Sequence, residues 1–420
     1  MEPPIKLTKK IKDYINKKFF FGRSDAILPT GDDLAGLYNP YYARLSAGFN
    51  LAALATSALL VLFILGAVLL NIGSITSENL YYFIKDFDAI VTSDAEALPT
   101  VIYSYEDSRT YTGYKGGFVT AGRSTLSVFS ATGRKTKSYY SEYSNPVLRA
   151  SYKYFLAYDA GGSRLSVYNS FARLRRLDFN HPILTAVICE SGDFAVLTSD
   201  STYNSVIYRY GSDFELDGKY QIANFVTSMS LDPSGKYLIV AYAEAGGDSL
   251  KSGIRIYDNR GSTPVFTKEV GGLILACGVS EPAAFSDNIC YYYISEDLLA
   301  VGGTKTGETT ISPGDDIKLF SYSGDSGRLA VTAADSEGYI LYHLSGDQKS
   351  ETIRLPGKPT AVKLAGGMAY VLCGTELMRY NLTAGMVDSL SLSSGAEDII
   401  ISESGYIFVC YPSGAQSVRF

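Results

Sequence analysis

The sequence predicts an all-β fold, a β-propeller of eight blades with seven as the alternative count, following an N-terminal transmembrane α-helix. Three observations carry this reading. A run of 22 residues without a charge, Leu51 to Ile72, divides the chain. Beyond it a turn-and-strand phrase recurs: SGDFAVLTS from Ser191, SGKYLIVAY from Ser234, SGRLAVTAA from Ser326 and SGYIFVCYP from Ser404. The composition suits strands and turns, with 34 Tyr, 40 Gly and no Trp among 420 residues of which 46% are hydrophobic. A chain of this size buries one large core or several.

Taken in order, residues 1–48 read as a cytoplasmic basic tail. Within it, KLTKKIKDYINKKFF places Ile11, Tyr14, Ile15 and Phe19 at helical spacing, with Lys9, Lys10, Lys12, Lys17 and Lys18 elsewhere around the helix. Two readings stand: a basic amphipathic helix on the anionic inner leaflet, or a disordered tail that only sets topology. Gly22 to Tyr42 reads as a loop, with turn signals at Pro29-Thr30-Gly31 and Asn39-Pro40. Residues 49–72 read as the membrane span, because 22 helical residues rise roughly 33 Å, the thickness of a bilayer's hydrocarbon core. A cleaved signal peptide has a shorter apolar stretch closer to the N-terminus.

Charge sets the expected orientation. Residues 1–72 carry eight Lys/Arg against five Asp/Glu, and the following 348 residues carry 29 against 38. By the positive-inside rule the tail is cytoplasmic and the large part extracytoplasmic, in a single-pass protein of the plasma membrane. Near the helix itself the asymmetry is only Arg44 against Lys85, and most of the bias lies further out. The net charge of −6 gives no footing for a nucleic-acid partner.

After a connector over 73–87, residues 88–420 align to themselves. The apolar run after the turn begins near Gly117, Tyr154, Phe194, Tyr237, Ile289, Leu329, Met368 and Tyr406, with steps of 37, 40, 43, 52, 40, 39 and 38 residues. A period near 40 in a β-rich sequence marks a four-stranded propeller blade. The second strand of each repeat, such as YLIVAY, is apolar throughout, as a strand covered on both faces must be. A third strand ends on an aromatic in LSVF, LSVY, IRIY, YILY and LMRY, and a more exposed fourth follows, such as TPVFTKEV or KSETIRL. One blade cannot bury both faces alone, and stacking copies around an axis buries them all. The last copy breaks off in its third strand, Ala415 to Phe420, and DAIVTS from Asp88 is expected to complete that blade. The long step and irregular pattern of Gly271 to Gly314 keep the seven-blade count open.

Through DPSGKYLIVA, Asp232 to Ala241, and its echoes, about 330 residues resemble WD40-like propellers, although the GH and WD dipeptides are absent. The order of tail, span and propeller resembles uncharacterised bacterial single-pass membrane proteins with such an ectodomain. That resemblance implies an architecture and leaves activity open.

Strings with chemical overtones reduce to structure. Gly324-Asp325-Ser326-Gly327 spells the GDSG of a serine-protease nucleophile, with His343 as the nearer base, yet it occupies the turn filled by DPSG elsewhere. GGTKTGET from Gly302 imitates a phosphate loop but has Glu308 where lysine belongs. Cys189, Cys277, Cys290, Cys373 and Cys410 read as buried small hydrophobes, and a Cys277–Cys290 disulfide across one hairpin is the alternative. Asp200, Asp232, Asp315, Asp316 and Asp325 read as solvated turn residues, and His181 as a loop residue. Tyr139-Tyr140 and Tyr291-Tyr292-Tyr293 are candidate exposed aromatics for sugars or peptides.

The sequence thus names no catalytic, cofactor-binding or metal-binding residue. It points to an interaction module that docks a protein or an envelope polymer, with the lipid bilayer as its other partner through 49–72. A small-molecule sensor signalling through the span is the alternative, and a lyase or hydrolase working with loop carboxylates stands third.

Overall fold

A computed structural model describes residues 40–70, 100–103, 109–131, 133–170, 172–246, 249–258, 261–280, 286–313, 318–325, 327–346, 350–381, 385–402 and 406–420. The tail through residue 39, the connector over 73–87, Asp88–Ser93, Asp315, Asp316 and Ser326 lie outside the described residues. The chain divides into two compact units, residues 1–90 and 91–420.

In the first unit one helix runs Pro40–Leu70. Pro40 opens it, where a missing N–H is harmless, so Pro40 to Tyr42 are helical and not part of the expected loop. Its segment Gly48–Gly66 has a mean hydropathy of 2.2, and none of it is buried. Leu51, Leu59 and Phe63 are exposed, and Thr56 turns its hydroxyl inward, donating to the carbonyl of Ala52 at 2.9 Å. This helix is long and apolar enough to cross a membrane.

The second unit consists of eight four-stranded antiparallel sheets, one per repeat, so the count is eight and not seven. Blade 1 spans residues 110–140, blade 2 146–178, blade 3 183–222, blade 4 225–270, blade 5 274–311, blade 6 318–355 and blade 7 359–391. The second strands begin at Gly117, Phe155, Phe194, Tyr237, Cys290, Arg328, Met368 and Ile407, each within a residue of the start read from the repeat. The long step has two sources. Blade 4 has an extended hairpin, Tyr237–Gly246 against Ser249–Asp258, and blade 5 has a long excursion between its strands Ile274–Ser280 and Cys290–Ser295.

Blade 8 is closed from both ends of the domain. Its strands Asp398–Ile401, Ile407–Tyr411 and Gly414–Val418 are completed by Thr100–Ile102, with Val101 opposite Ala415. The closing strand is therefore Thr100–Ile102 and not the DAIVTS segment. The repeat leaves Asp88–Ser93 without a blade of its own, but pairing is sealed by a residue just past the strand: the Tyr103 hydroxyl donates to the carbonyls of Tyr411 and Gly414 at 2.7 and 2.6 Å.

Eight hydrophobic clusters hold the ring, one between each pair of adjacent blades. The aromatic ending the third strand has a defined partner in the first three blades. Phe129, Tyr168 and Tyr210 lie opposite Phe118, Phe155 and Phe194, and the rings stack with centroids 4.8, 5.1 and 4.8 Å apart. Such pairs add to the burial energy of the rings.

The turn between first and second strands explains the recurrent SG. Gly192 and Gly235 have φ of +96° and +75°, a region in which a Cβ is strained. At the DPSG turn Asp232 is wholly buried, and its carboxylate accepts from the Tyr237 N–H at 2.5 Å and the Ser234 hydroxyl at 2.6 Å. Asp232 is thus a structural acceptor and not a solvated turn residue.

Candidate functional site

The first strands of successive blades surround the propeller axis, and each pair except that of blades 5 and 6 is closely packed. In blades 3 to 7 that strand carries a β-bulge at the same place, and the bulged residues are Leu184, Thr227, Leu275, Phe320 and Thr360. A bulge leaves one residue unpaired and re-aims its side chain. Thr360 returns its hydroxyl to a backbone carbonyl, that of Leu372 at 3.2 Å. The leucines have no such recourse: Leu184 and Leu275 are 48% and 47% exposed, and Phe225, at the start of the same strand in the blade between them, is 59% exposed. All three sit at the same end of the repeat, so one mouth of the axial channel is apolar across blades 3 to 5.

Serines join the channel wall. The Ser228 hydroxyl accepts from the Cys277 N–H at 3.3 Å, and Ser321 and Ser323 accept from Val362 and Leu364 at 3.2 and 3.0 Å. Each bond satisfies a backbone donor on the next blade's first strand. Between blades 5 and 6 an aromatic ring fills the gap. A Cβ on either Gly278 or Gly324 would come within 2.2 Å of the Tyr292 ring, so two glycines on adjoining blades make room for it. Beside that ring is a cavity of about 190 Å³ lined by Ser230, Ser280, Gly278 and Gly324. On the first strand of blade 6, Tyr322 feels the guanidinium of Arg149 from the first strand of blade 2. Burial pushes the Tyr322 phenol up and Arg149 pulls against it, while half of the ring's surface still meets water.

The residues singled out from sequence fall elsewhere. Tyr291 and Tyr293 are buried between blades 4 and 5, donating to Glu308 at 2.9 and 3.3 Å, and Lys268 completes the group by an ion pair with the same carboxylate. Glu308, the residue that spoiled the phosphate-loop string, is therefore the acceptor at the centre of a structural network. The triple tyrosine is not an exposed aromatic patch, whereas Tyr140 is 80% exposed.

Among the described residues all five cysteines are free. Cys277 lies opposite Tyr293 and Cys290 opposite Ser280, an offset of three residues or roughly 10 Å along the strand. An odd offset also puts them on opposite faces, so the expected hairpin disulfide cannot form. His343 is buried in the third strand of blade 6, in register with Ala330 and Glu351, while Gly324 and Asp325 close the first strand of that blade, opposite Leu329 and Arg328, so Asp325 is a strand residue and not a turn residue. His181 approaches Asp200 at 3.7 Å. The Asp200 carboxyl accepts from the Thr202 and Tyr203 N–H groups, which hold it below the usual carboxylate range.

The channel residues escape a reading by repeat alone, although a signal is present. Ile183-Leu184, Ile274-Leu275 and Leu319-Phe320 are adjacent apolar pairs that break period-two alternation at one point of the repeat.

A model of a family of unknown function, DUF5711, matches residues 92–419. The chain belongs to this family. The DUF5711 match covers the β-domain, and no curated protein matches the chain. Among solved structures, Sqt1 of Saccharomyces cerevisiae is 11% identical over 76% of this chain and 99% of its own, with a TM-score of 0.53. The β-propeller domain of Swd1 (Cps50) from Myceliophteria thermophila is 11% identical over 70% of this chain and 100% of its own, with a TM-score of 0.45. Streptogramin B lyase is 10% identical over 65% of this chain and 92% of its own, with a TM-score of 0.43. The likeness to Sqt1, at such identity, speaks for the propeller fold of the DUF5711 domain and for nothing finer.

Proposed function

We propose that this chain is a membrane-anchored, extracytoplasmic interaction module whose propeller docks a protein partner and does no chemistry of its own. The helix Pro40–Leu70 supplies the anchor, and the excess of Lys/Arg before it argues for a cytoplasmic N-terminus. The observation that carries the docking role is the apolar mouth of the channel. Leu184, Phe225 and Leu275 stand exposed on three successive blades, on strands whose bulges turn side chains out of the core. Exposed apolar groups on three successive blades of a rigid scaffold favour a protein partner. A photo-crosslinking residue at 275 in the full-length chain, in native membranes, is expected to yield a discrete protein adduct that Leu184→Asp abolishes. Adducts that ignore Leu184→Asp would exclude the mouth as the docking face.

A second reading, a small-molecule sensor, is favoured by the cavity beside Tyr292 and by Arg149 and Tyr322 within the channel. A small anion is the ligand class that Arg149 and the serine hydroxyls suit. It would raise the melting temperature of the wild type and leave Arg149→Ala unmoved.

A further inference from the structure

Charge is distributed unevenly within the β-domain. Residues 123–178, essentially blades 1 and 2, carry ten Lys/Arg and three Asp/Glu. The rest of the chain after residue 72 carries 19 Lys/Arg and 35 Asp/Glu. Four of these basic residues, Lys137, Arg164, Arg173 and Arg176, stand at the outer cleft between the two blades. On blade 2, Arg164 and Arg176 approach one oxygen of Glu142 at 3.6 and 3.1 Å, and Arg173 approaches the other at 3.4 Å. Asp178 takes a second contact from Arg176 at 3.5 Å. On blade 1, Lys137 lies opposite Val128, whose side chain belongs to the core shared with blade 2, so Lys137 faces the same cleft. The floor is aromatic, with the Tyr139 and Tyr168 rings 5.0 Å apart.

Three guanidiniums and Lys137 face two carboxylates, Glu142 and Asp178, so positive charge is in excess. Each guanidinium is only partly buried, with side chains 39–42% exposed, so all three keep donors turned to solvent. Arginine's planar fork suits phosphate oxygens. The facing outer strands, Lys135–Tyr140 and Arg173–Asp178, are six residues each, a trough roughly 20 Å long. A globular acidic protein entering it would bring its bulk against the other, acidic blades. A flat bilayer would meet projecting side chains before those that face across a cleft. A thin, flexible chain of phosphates meets the cations and nothing else.

We infer that the outer cleft between blades 1 and 2 binds a thread-like phosphodiester polyanion, with Arg164, Arg173, Arg176 and Lys137 as its cationic contacts. This site is separate from the channel mouth and does not depend on the docking role assigned there.

The test uses the full-length chain in non-ionic detergent and fluorescently labelled poly(glycerol phosphate), followed by anisotropy as salt is raised from about 50 to 200 mM. Saturable binding is expected. If three phosphates are engaged, log K should fall against log salt with a slope of about −2, as for single-stranded polyanions. Arg173→Ala/Arg176→Ala should weaken binding at least tenfold, and Arg173→Lys/Arg176→Lys, which keeps the charge, by clearly less. Arg354→Ala, on blade 6, should leave it unchanged. Absence of binding, indifference to the double alanine variant, or stronger binding to polyglutamate or to phosphatidylglycerol vesicles through the same arginines would overturn the assignment. The last two results would make the cleft an acidic-protein or membrane contact.

Discussion

Tyr292 fits between blades 5 and 6 only because positions 278 and 324 have no side chain. Gly324→Ala would place a methyl group where the ring now lies, and overpacking of this kind costs about 1–3 kcal/mol. The ring is the obstacle, so Tyr292→Ala should largely relieve the penalty, with a coupling of about 1 kcal/mol or more in a double-mutant cycle read by denaturant unfolding. Strict additivity would mean that the ring does not contact Gly324. Asp232 gives a second case. Asp232→Ala strands the buried Tyr237 N–H and should cost about 2–3 kcal/mol, while Asp232→Asn keeps an acceptor and should cost less. Both sites show where sequence reading stops at this scale. The DPSG turn is legible as a turn, but whether its aspartate faces water depends on the blade packed over it. Gly278 and Gly324 look like any other glycines in sequence, because their reason is a ring contributed from another strand.

At the level of elements, the repeat locates all eight second strands, since a period near 40 and an apolar run suffice to find a strand buried on both faces. Register is not legible. Cys277 and Cys290 share a hairpin, yet their pairing is decided by the length of the excursion between the strands, which the apolar pattern does not record. The closing strand is hidden for a related reason: three residues, Thr100–Ile102, are too few to show any alternation. Their importance can be tested directly. Tyr103→Phe removes a hydroxyl shared by the carbonyls of Tyr411 and Gly414 and should cost about 1–2 kcal/mol. Deleting residues 100–103 should do more, because it bares the edge of the Gly414–Val418 strand and withdraws buried Val101 from the cluster between blades 8 and 1. The deletion variant should melt earlier and self-associate, as read by thermal unfolding and light scattering. A deletion variant as stable and monomeric as the parent would show that the ring closes without this strand.

For the molecule as a whole, the same architecture that buries tyrosines between blades sets its alkaline limit. Burial pushes the phenols of Tyr139 and Tyr380 up to about 12 and raises those of Tyr103, Tyr114, Tyr143, Tyr291 and Tyr293 as well. The thiols of Cys373 and Cys277 rise to about 11 and about 12, again mainly by burial. In the unfolded chain these groups ionise near 10 and 9. Between the unfolded and folded values the unfolded state has lost protons that the native state retains, so stability falls as pH rises. The contribution of Tyr139, Tyr380, Cys373 and Cys277 is complete below pH 9, declines from there as thiols and then phenols ionise in the unfolded chain, and is gone by about pH 12. Because every pair of adjacent blades shares such a core, the loss should appear as one cooperative transition and not as the release of a single blade. Denaturant midpoints measured at intervals across this range should drop continuously, and the phenolate absorbance that Tyr380→Phe removes, read as a difference between parent and variant, should rise together with unfolding and not ahead of it. A difference signal that develops while the fold persists would mean that this inter-blade tyrosine reaches water in the native ring.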